Sequence, residues 1–342
     1  MITVVGEALI DLISAESGTY RSAPGGAPAN TAVALARLGV PVSLLARIGS
    51  DRFGRQLRSY VGSRGVDTRD LVAAQEASTL AIANLDGYGH AEYDFYVRGT
   101  ADWQWDPAEL PDPIGADVTA LHVGSLALAM APGADVLEEW VARQRERVVV
   151  GYDPNIRPAL AGERAAERAR VERQIALADV VKASDDDVYW LYSENRPPRP
   201  QDAPEADGAA APVGADPFLE EAARSWLALG PAVVAVTRGA AGTLVIGRGA
   251  AAPMYLTPEP IEIVDTVGAG DAFNAGLLDA LGQAGALGAA GRARLAALTP
   301  DELAVCVGHA QRVAAHACRR VGADPGELEP APLEFPGRGA TP

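Results

Sequence analysis

Lysine is nearly missing from this chain of 342 residues: of 29 basic residues only Lys182 is lysine, and the rest are arginine. Where arginine supplies all other positive charge, one retained lysine predicts a place that wants a compact point charge. Cysteine is almost as scarce. Cys306 and Cys318 are the only two, and twelve residues of helix would hold them about 18 Å apart, too far for a disulfide. A reducing, cytoplasmic setting is therefore expected. The four histidines are scattered, with no HExxH and no CxxC, so a zinc site is not expected. No apolar run approaches the ~18 residues that a bilayer span needs. The opening MITVVGEALIDLI carries Glu7 and Asp11 and no basic leader, and reads as a buried first strand rather than a secretory signal. Positive charge is in deficit as well. A net charge of −16 disfavours nucleic acid or an anionic membrane as partner, and it means that a phosphate ligand needs a local cradle.

What is present is ordinary globular composition in a chain long enough for one large α/β domain with an appendage, or for two domains. Buried strands are expected over 1–6 and 42–48, with a helix between them that starts near Pro28 and stops at Gly39. A second helix is expected from Asp51 to about Arg64. Strand and helix then alternate: strands over 118–123, 147–153, 179–183 and 232–237, and helices over 133–146, 163–177, 185–193 and 217–229. A hairpin over 243–257 and helices over 271–284 and 301–319 complete the pattern. Such alternation calls for a mostly parallel central sheet flanked by helices on both faces.

Two segments interrupt it. TLAIANLDGYGHAEYDFYV, residues 79–97, reads as a β-hairpin around Asp86-Gly87 and Gly89, a small appendage suited to a lid and bearing Tyr93, Phe95 and Tyr96. NRPPRPQDAPEADGAAAPVGADP, residues 195–217, is rich in proline, alanine, glycine and acids, and is expected to be a mobile surface insert within the domain. The domain is expected to span 1–330, with the lid drawn from about 79–100 and part of 11–25, and with 331–342 as a tail.

The chemistry concentrates in turns. In a parallel α/β sheet, ligands lie beyond the carboxyl ends of the strands. GEALIDLI offers Asp11, APGGAPANTAV offers Gly25, Gly26 and Asn30, and YDPNIRP offers Asn155 and Arg157. VVKASDDDV offers Lys182 and Asp187, and VTRGAAG offers Thr237, Gly239 and Gly242. In VDTVGAGDAFNAGLL, residues 264–278, Gly268, Ala269 and Gly270 precede Asp271 at the mouth of a helix. Backbone N–H groups there can curl round an anion, helped by the helix N-terminus. Asp271 could be a plain N-cap. A carboxylate facing an anion cradle instead suits a base that deprotonates whatever attacks a phosphate. A Walker P-loop is absent, and Phe273 stands where a dinucleotide fingerprint needs its third glycine.

GGAPANTAVALARLG and DTVGAGDAFNAGLL resemble the two signatures of the PfkB/ribokinase family of carbohydrate kinases. GEALIDL, IGSDRFG, HVGSLAL, YDPNIRP and VTRGAAG extend the resemblance over about residues 2–324 and look most like bacterial fructokinases. The resemblance implies a ribokinase-like fold and transfer of the γ-phosphoryl group of ATP to a hydroxyl of a small sugar, most simply fructose. Ribose, 2-keto-3-deoxygluconate and nucleosides are alternative acceptors, and a sugar-binding regulator without turnover is the alternative from another class. Asp271 would be the base, with Gly268, Ala269 and Gly270 steadying the moving phosphoryl group. Asp11, Gly25, Gly26, Asn30, Arg98 and Arg157 would line the sugar. Lys182, Thr237, Gly239, Gly242 and His309 would serve ATP. Magnesium would be held through water by Asp187, in SDDD where many members carry N-x-x-E. Asp265 and Val267 match backbone positions for a monovalent cation such as potassium. The lid further implies a homodimer.

Overall fold

The computed structural model describes residues 1–15, 18–85, 91–193, 214–250, 252–329 and 331–336, without the side chains of residues 15 and 83–93. Most of the 195–217 insert, the Asp86–Gly89 turn and the side chain of Tyr93 lie outside the described residues.

The first half of the chain runs through β1 (Ile2–Val5), β2 (Leu9–Ala15), β3 (Thr19–Gly25), α1 (Ala27–Arg37), β4 (Val42–Gly49), α2 (Arg52–Ser63) and β5 (Leu71–Ala74). It continues with β6 (Leu80–Leu85), β7 (Ala91–Tyr96), β8 (Ala120–Gly124), α3 (Gly133–Gln144) and β9 (Val149–Asp153). The second half runs through α4 (Arg164–Ile175), β10 (Val180–Ser184), α5 (Asp185–Tyr192), α6 (Pro217–Leu229), β11 (Val233–Thr237) and β12 (Thr243–Gly247). Last come β13 (Met254–Leu256), α7 (Ala269–Gln283), α8 (Gly288–Ala296) and α9 (Pro300–Ala317).

Nine strands form one sheet in the order β13-β12-β11-β10-β9-β8-β1-β4-β5, parallel from β11 to β5 and antiparallel at β12 and β13. The expected parallel sheet is present, and its burial explains the apolar strand sequences. ITVV and VSLLARIG are buried at every position, because helices cover both faces. One face packs with α1, α7 and α9, the layer that holds Phe273, Leu277 and Val307. The other packs with α3, α4, α5 and α6, around Trp140, Tyr152 and Trp226.

The order of strands sets the site. β1 has β4 on one side and β8 on the other, so the chain winds outward in both directions from this pair. That switch point opens a crevice at the carboxyl ends of β1 and β8.

A second sheet, β3-β2-β6-β7, stands beyond that edge. The lid expected from about 79–100 and part of 11–25 has four strands: β6 and β7 pair antiparallel, and β2 and β3 join them. Asp11 accordingly lies on β2, opposite Ala23 of β3, and not in a turn. The apolar run ITVVGEALIDLI looks like one strand, yet Gly6 at φ 149 breaks it and sends the second half into the other sheet. β5 and α8 were not anticipated. LVAA is too short to carry a period, and α8 begins GAAG without a side-chain cap.

Candidate active site

The first turn of α7 decides the role of Asp271. Gly268 is the N-cap, at φ 78, and no side chain caps the helix. An ideal Cβ on Gly268 would lie 2.6 Å from Ala323 Cβ, so both space and backbone demand glycine. Asp271 is the third helical residue, and its carboxylate turns inward to accept a 2.8 Å bond from Asn30 Nδ2. The plain N-cap reading is therefore wrong. Ala269 N–H bonds the Thr266 carbonyl at 3.1 Å. Among the described residues the N–H groups of Gly268, Gly270 and Asp271 have no recorded acceptor, which leaves a helix N-terminus free for an anion.

Lys182 rises from β10 beneath this turn. A Cβ on Gly270 would come within 2.9 Å of its Nζ. Lys182 Nζ bonds Asp153 Oδ2 at 3.0 Å, and Asn274 Nδ2 of α7 bonds the same oxygen at 2.7 Å. Burial opposes the ammonium charge, but Asp153 and Asp187, with Asp271 beyond, outweigh it and raise the pKa of Lys182. It stays a cation. His122, buried nearby, is pushed down to about 4 by burial and is neutral at pH 7.

Asp271 is pushed up to about 6 by burial, against the bond from Asn30 and the charge of Lys182. Asp11 is also pushed up to about 6, again by burial, with Arg157 lowering and Asp271 raising it. The two carboxylates thus share one electrostatic site although Asp11 belongs to the lid sheet and Asp271 to α7. Gly25 is required beside them, since a Cβ there would lie 2.1 Å from Asp11 Oδ2. Gly26, at φ 102, would clash with the Glu7 carbonyl at 2.6 Å. Asn30, having given its amide to Asp271, keeps a buried Oδ1 without a partner, an acceptor aimed at a ligand donor.

The remaining sequence-derived residues divide. Arg157 sits exposed at the end of the β9 turn, steadied by Asn155 Oδ1 at 2.7 Å, and its charge reaches Glu7, Asp11 and Asp271. Thr237, Gly239 at φ 54 and Gly242 at φ 91 form the turn after β11, next to Ser184 across the strand pair. Asp187 accepts from Ile156 N at 2.8 Å, Ser184 N at 2.8 Å and Ser184 Oγ at 2.7 Å. It closes a capping box on α5 and clamps the β9 turn, so most of its acceptor capacity is used. Asp265 likewise turns both oxygens to backbone, Oδ1 to Val267 N at 3.0 Å and Oδ2 to Gly322 N at 2.8 Å. Arg98 is exposed in the turn after β7, with no recorded partner among the described residues. His309 lies between α7 and α9, its Nε2 2.9 Å from Asp279 Oδ2.

Asp153, Asn274 and Glu7 were not picked out from sequence. Glu7 is buried and accepts from Ala127 N at 3.1 Å. Ser125 at φ 54 and Asn155 at φ 39 are strained non-glycine residues, joined by a 3.2 Å bond from Asn155 Nδ2 to Ser125 Oγ. Glu7, Ser125, Asp153 and Asn155 share one signal, position: each ends or follows a strand at the same edge, whereas Asn274 lies within α7. A cavity of about 480 Å³ lies there, lined by Asn155, Arg157, Arg164, Ser184, Asp187 and Trp190 among others. A slightly larger one, about 530 Å³ between Met1, Pro41, Thr119 and Leu278, opens at the opposite edge, away from this chemistry.

No three His, Cys, Asp or Glu residues among those described are placed to cage a metal. At the β10 turn the hard oxygen donors of Ser184 and Asp187 spend most of their capacity on each other and on backbone N–H groups, a chemistry suited to holding a hard cation through water rather than directly.

The chain is similar to known proteins in sequence and in fold. Residues 1–329 match the family described as pfkB family carbohydrate kinase. A fructokinase of Rhizobium leguminosarum bv. trifolii is 35% identical over 82% of this chain and 79% of its own length. A crystal structure of fructokinase with bound ATP from Xylella fastidiosa superposes with a TM-score of 0.81 at 28% identity, covering 96% of this chain and 95% of that one. A fructokinase from Vibrio cholerae, in its fructose, ADP and calcium ion bound form, gives a TM-score of 0.74 at 28% identity, covering 96% of this chain and 95% of that one.

Proposed function

The chain belongs to the pfkB family of carbohydrate kinases, phosphotransferases with an alcohol acceptor, and from that premise we propose that it phosphorylates fructose with ATP. The observation that carries the reading is Asp271, a buried carboxylate that caps nothing, poised between an open sugar-side acceptor on Asn30 and an uncapped helix N-terminus.

Phosphoryl transfer asks a protein for positioning and for neutralisation of charge. In this reading the free N–H groups of the Gly268–Gly270 turn, with Lys182 beneath, receive the γ-phosphoryl oxygens. Asp271, ionised above about pH 6, takes the proton from the attacking hydroxyl. Asp11, Asn30 and Arg157 orient the sugar, and Gly25 and Gly26 make room for it. Arg98, exposed after β7, would close over it from the lid side. Thr237, Gly239 and Gly242 meet the nucleotide phosphates, while His309 acts from behind by fixing α9 to α7. A magnesium ion bound with ATP would supply charge neutralisation at the β- and γ-phosphates, and Asp187 with Ser184 would hold its waters. The Asp265 and Val267 carbonyls would serve a potassium ion, the Asp265 side chain shaping the loop. β3 and β7, the open edges of the lid with Tyr20 and Tyr96 exposed, would pair with a second copy in a homodimer, and the reaction would be cytoplasmic.

ADP release across fructose, ribose, 2-keto-3-deoxygluconate and adenosine tests the assignment. Fructose should give the highest kcat/KM. Preference for another acceptor reassigns the substrate, and saturable sugar binding without ADP release supports the regulator.

A further inference from the structure

The turn at Gly268 leans on a piece of chain that the mechanism above does not use. Residues 319–326 follow α9 without regular secondary structure and lie against it. The place a Cβ would take on Gly268 is 2.6 Å from Ala323 Cβ, so Ala323 packs directly on the N-cap of α7. Asp265 Oδ2 accepts from Gly322 N at 2.8 Å, and the Cys318 carbonyl accepts from Val264 N at 2.9 Å. The cradle loop and the segment after α9 thus form one unit. From Val321 to Gly326 no backbone-to-backbone bond is recorded among the described residues, so side chains decide where this segment sits.

Asp324 ties it to the rest of the molecule. Its carboxylate takes Arg37 two-pronged, Nε to Oδ1 at 3.1 Å and Nη2 to Oδ2 at 3.0 Å, and takes Arg64 Nε on Oδ2 at 2.6 Å. Gly326 N adds a bond to Oδ1 at 2.9 Å. Arg37 lies in the last turn of α1 and Arg64 ends α2. An isolated exposed ion pair contributes little, because two flexible side chains lose entropy in meeting. This cluster is different. Its side chains are only 21–26% exposed, the Arg37 fork matches the carboxylate, and the Arg64 guanidinium rests 3.7 Å from the centre of the Tyr60 ring. Burial would raise the Asp324 carboxyl, but the bonds from Arg37, Gly326 and Arg64 prevail and hold it down at about 2. It is a carboxylate at pH 7. The helix that holds it is also the one that serves the site: α1 carries Asn30, and its Thr31 Oγ1 bonds the Asp271 carbonyl at 3.4 Å.

We propose that Asp324 is a positioning residue for the anion cradle: held by Arg37 and Arg64, it keeps Ala323 on Gly268 and so fixes the turn whose N–H groups receive the γ-phosphoryl group. The proposal rests on the sugar-kinase reading and deepens it. Asp324 touches no substrate. A turn that is already set binds phosphate without an ordering cost, whereas a loosened one has to be ordered at each binding event, and affinity for ATP falls accordingly.

The test compares wild type, D324N, R37M/R64M and the combined triple variant at one fixed potassium concentration. Asparagine keeps an oxygen for Gly326 N and Arg37 Nε but turns an amide N–H toward Arg64, which breaks the clamp. D324N and R37M/R64M should each raise the KM for ATP about tenfold and leave the sugar KM within about threefold. The triple variant should stay within about twofold of R37M/R64M, because both changes cut one link. In hydrogen exchange, the bonded amides of Val264, Asp265 and Ala269 should open several-fold faster in D324N, while the turn at 238–242 keeps the wild-type rate. The melting temperature should fall by only a few degrees. The proposal is overturned if D324N keeps the wild-type KM for ATP whatever its melting temperature, if the two sets of changes multiply, if exchange at 264–269 is unchanged, or if D324N does not fold. Should wild type release no ADP with any sugar, the kinase reading fails instead, and ATP binding by calorimetry takes the place of KM. Binding about tenfold weaker in D324N then sustains the proposal, and equal binding, or none to either protein, overturns it.

Discussion

At the scale of single residues, Asp271 and Lys182 carry opposite charges for one purpose, and their substitutions separate chemistry from stability. Asp271→Asn keeps a partner for Asn30 but removes the base, so kcat should fall by about 10²–10⁴ with sugar and ATP binding retained. A variant with near wild-type turnover would remove the base assignment. Its pKa of about 6 also fixes a pH limb: wild-type kcat should drop as pH falls through about 6, where the base takes up a proton. The same raised pKa means that the ionised form costs the fold something above pH 6, so D271N should melt no lower than wild type at pH 7.5. Lys182→Met is different. It strands Asp153, buried with only Asn274 and the Asn155 N–H left to it, and should cost about 3–5 kcal/mol. Combining it with Asp153→Asn should recover much of that stability in a melting experiment while ATP turnover stays at least tenfold down. If the double variant regains turnover as well, Lys182 is a structural cation only. Asp271 was legible because GAGD places it directly after the cradle. Asp153 was not, although it lies within YDPNIRP, because its partners lie 29 and 121 residues away in the chain.

At the scale of elements, the N-terminus of α7 is where helix stability and function part company. Gly270 is helical, and a Gly to Ala change in a helix interior normally gains up to about 1 kcal/mol. The added Cβ, however, would meet Lys182 Nζ at 2.9 Å. Gly270→Ala should therefore leave the melting temperature unchanged or slightly raised while kcat/KM for ATP falls about tenfold or more. Unchanged kinetics would show that Lys182 does not work through this turn. The lid shows the limit of reading elements in order. The hairpin pattern in β6 and β7 was visible, but β2 looked like the continuation of β1. Period-two burial says that a residue faces a core and does not say which sheet owns it. Only the pairing of Asp11 with Ala23 of β3 settles that.

At the scale of the whole molecule, the charge of −16 leaves the site dependent on Lys182, Arg157 and backbone N–H groups, so its attraction for a nucleotide is local rather than long-range. The two helical layers also explain why an insert between α5 and α6 is tolerated. Tyr189 Oη bonds Asp216 Oδ2 at 2.6 Å, and the Tyr192 and Trp226 rings lie 6.1 Å apart, so the helices on either side of residues 194–213 are already joined. Replacing residues 197–212 with a short Gly/Ser linker should leave kcat within about twofold and the melting temperature within a few degrees, as loop closure depends only weakly on length. Loss of folding would show that the segment contributes packing.

The sequence by itself determined the alternation of strand and helix, the parallel sheet, the α7 cradle and the carboxylate after it. These are local properties: apolar runs, helix stops, and glycine where a left-handed or crowded backbone admits nothing else. Both cysteines are free, as their helical spacing required. Tertiary structure alone decided that Asp271 faces Asn30 and not its own helix amides, and that Asp153 joins Lys182 to α7. It also gave the lid four strands and gathered Arg37 and Arg64 round Asp324. Those facts depend on contacts between residues far apart in the chain, set by which strands lie side by side and by burial that shifts a proton. No local pattern encodes them.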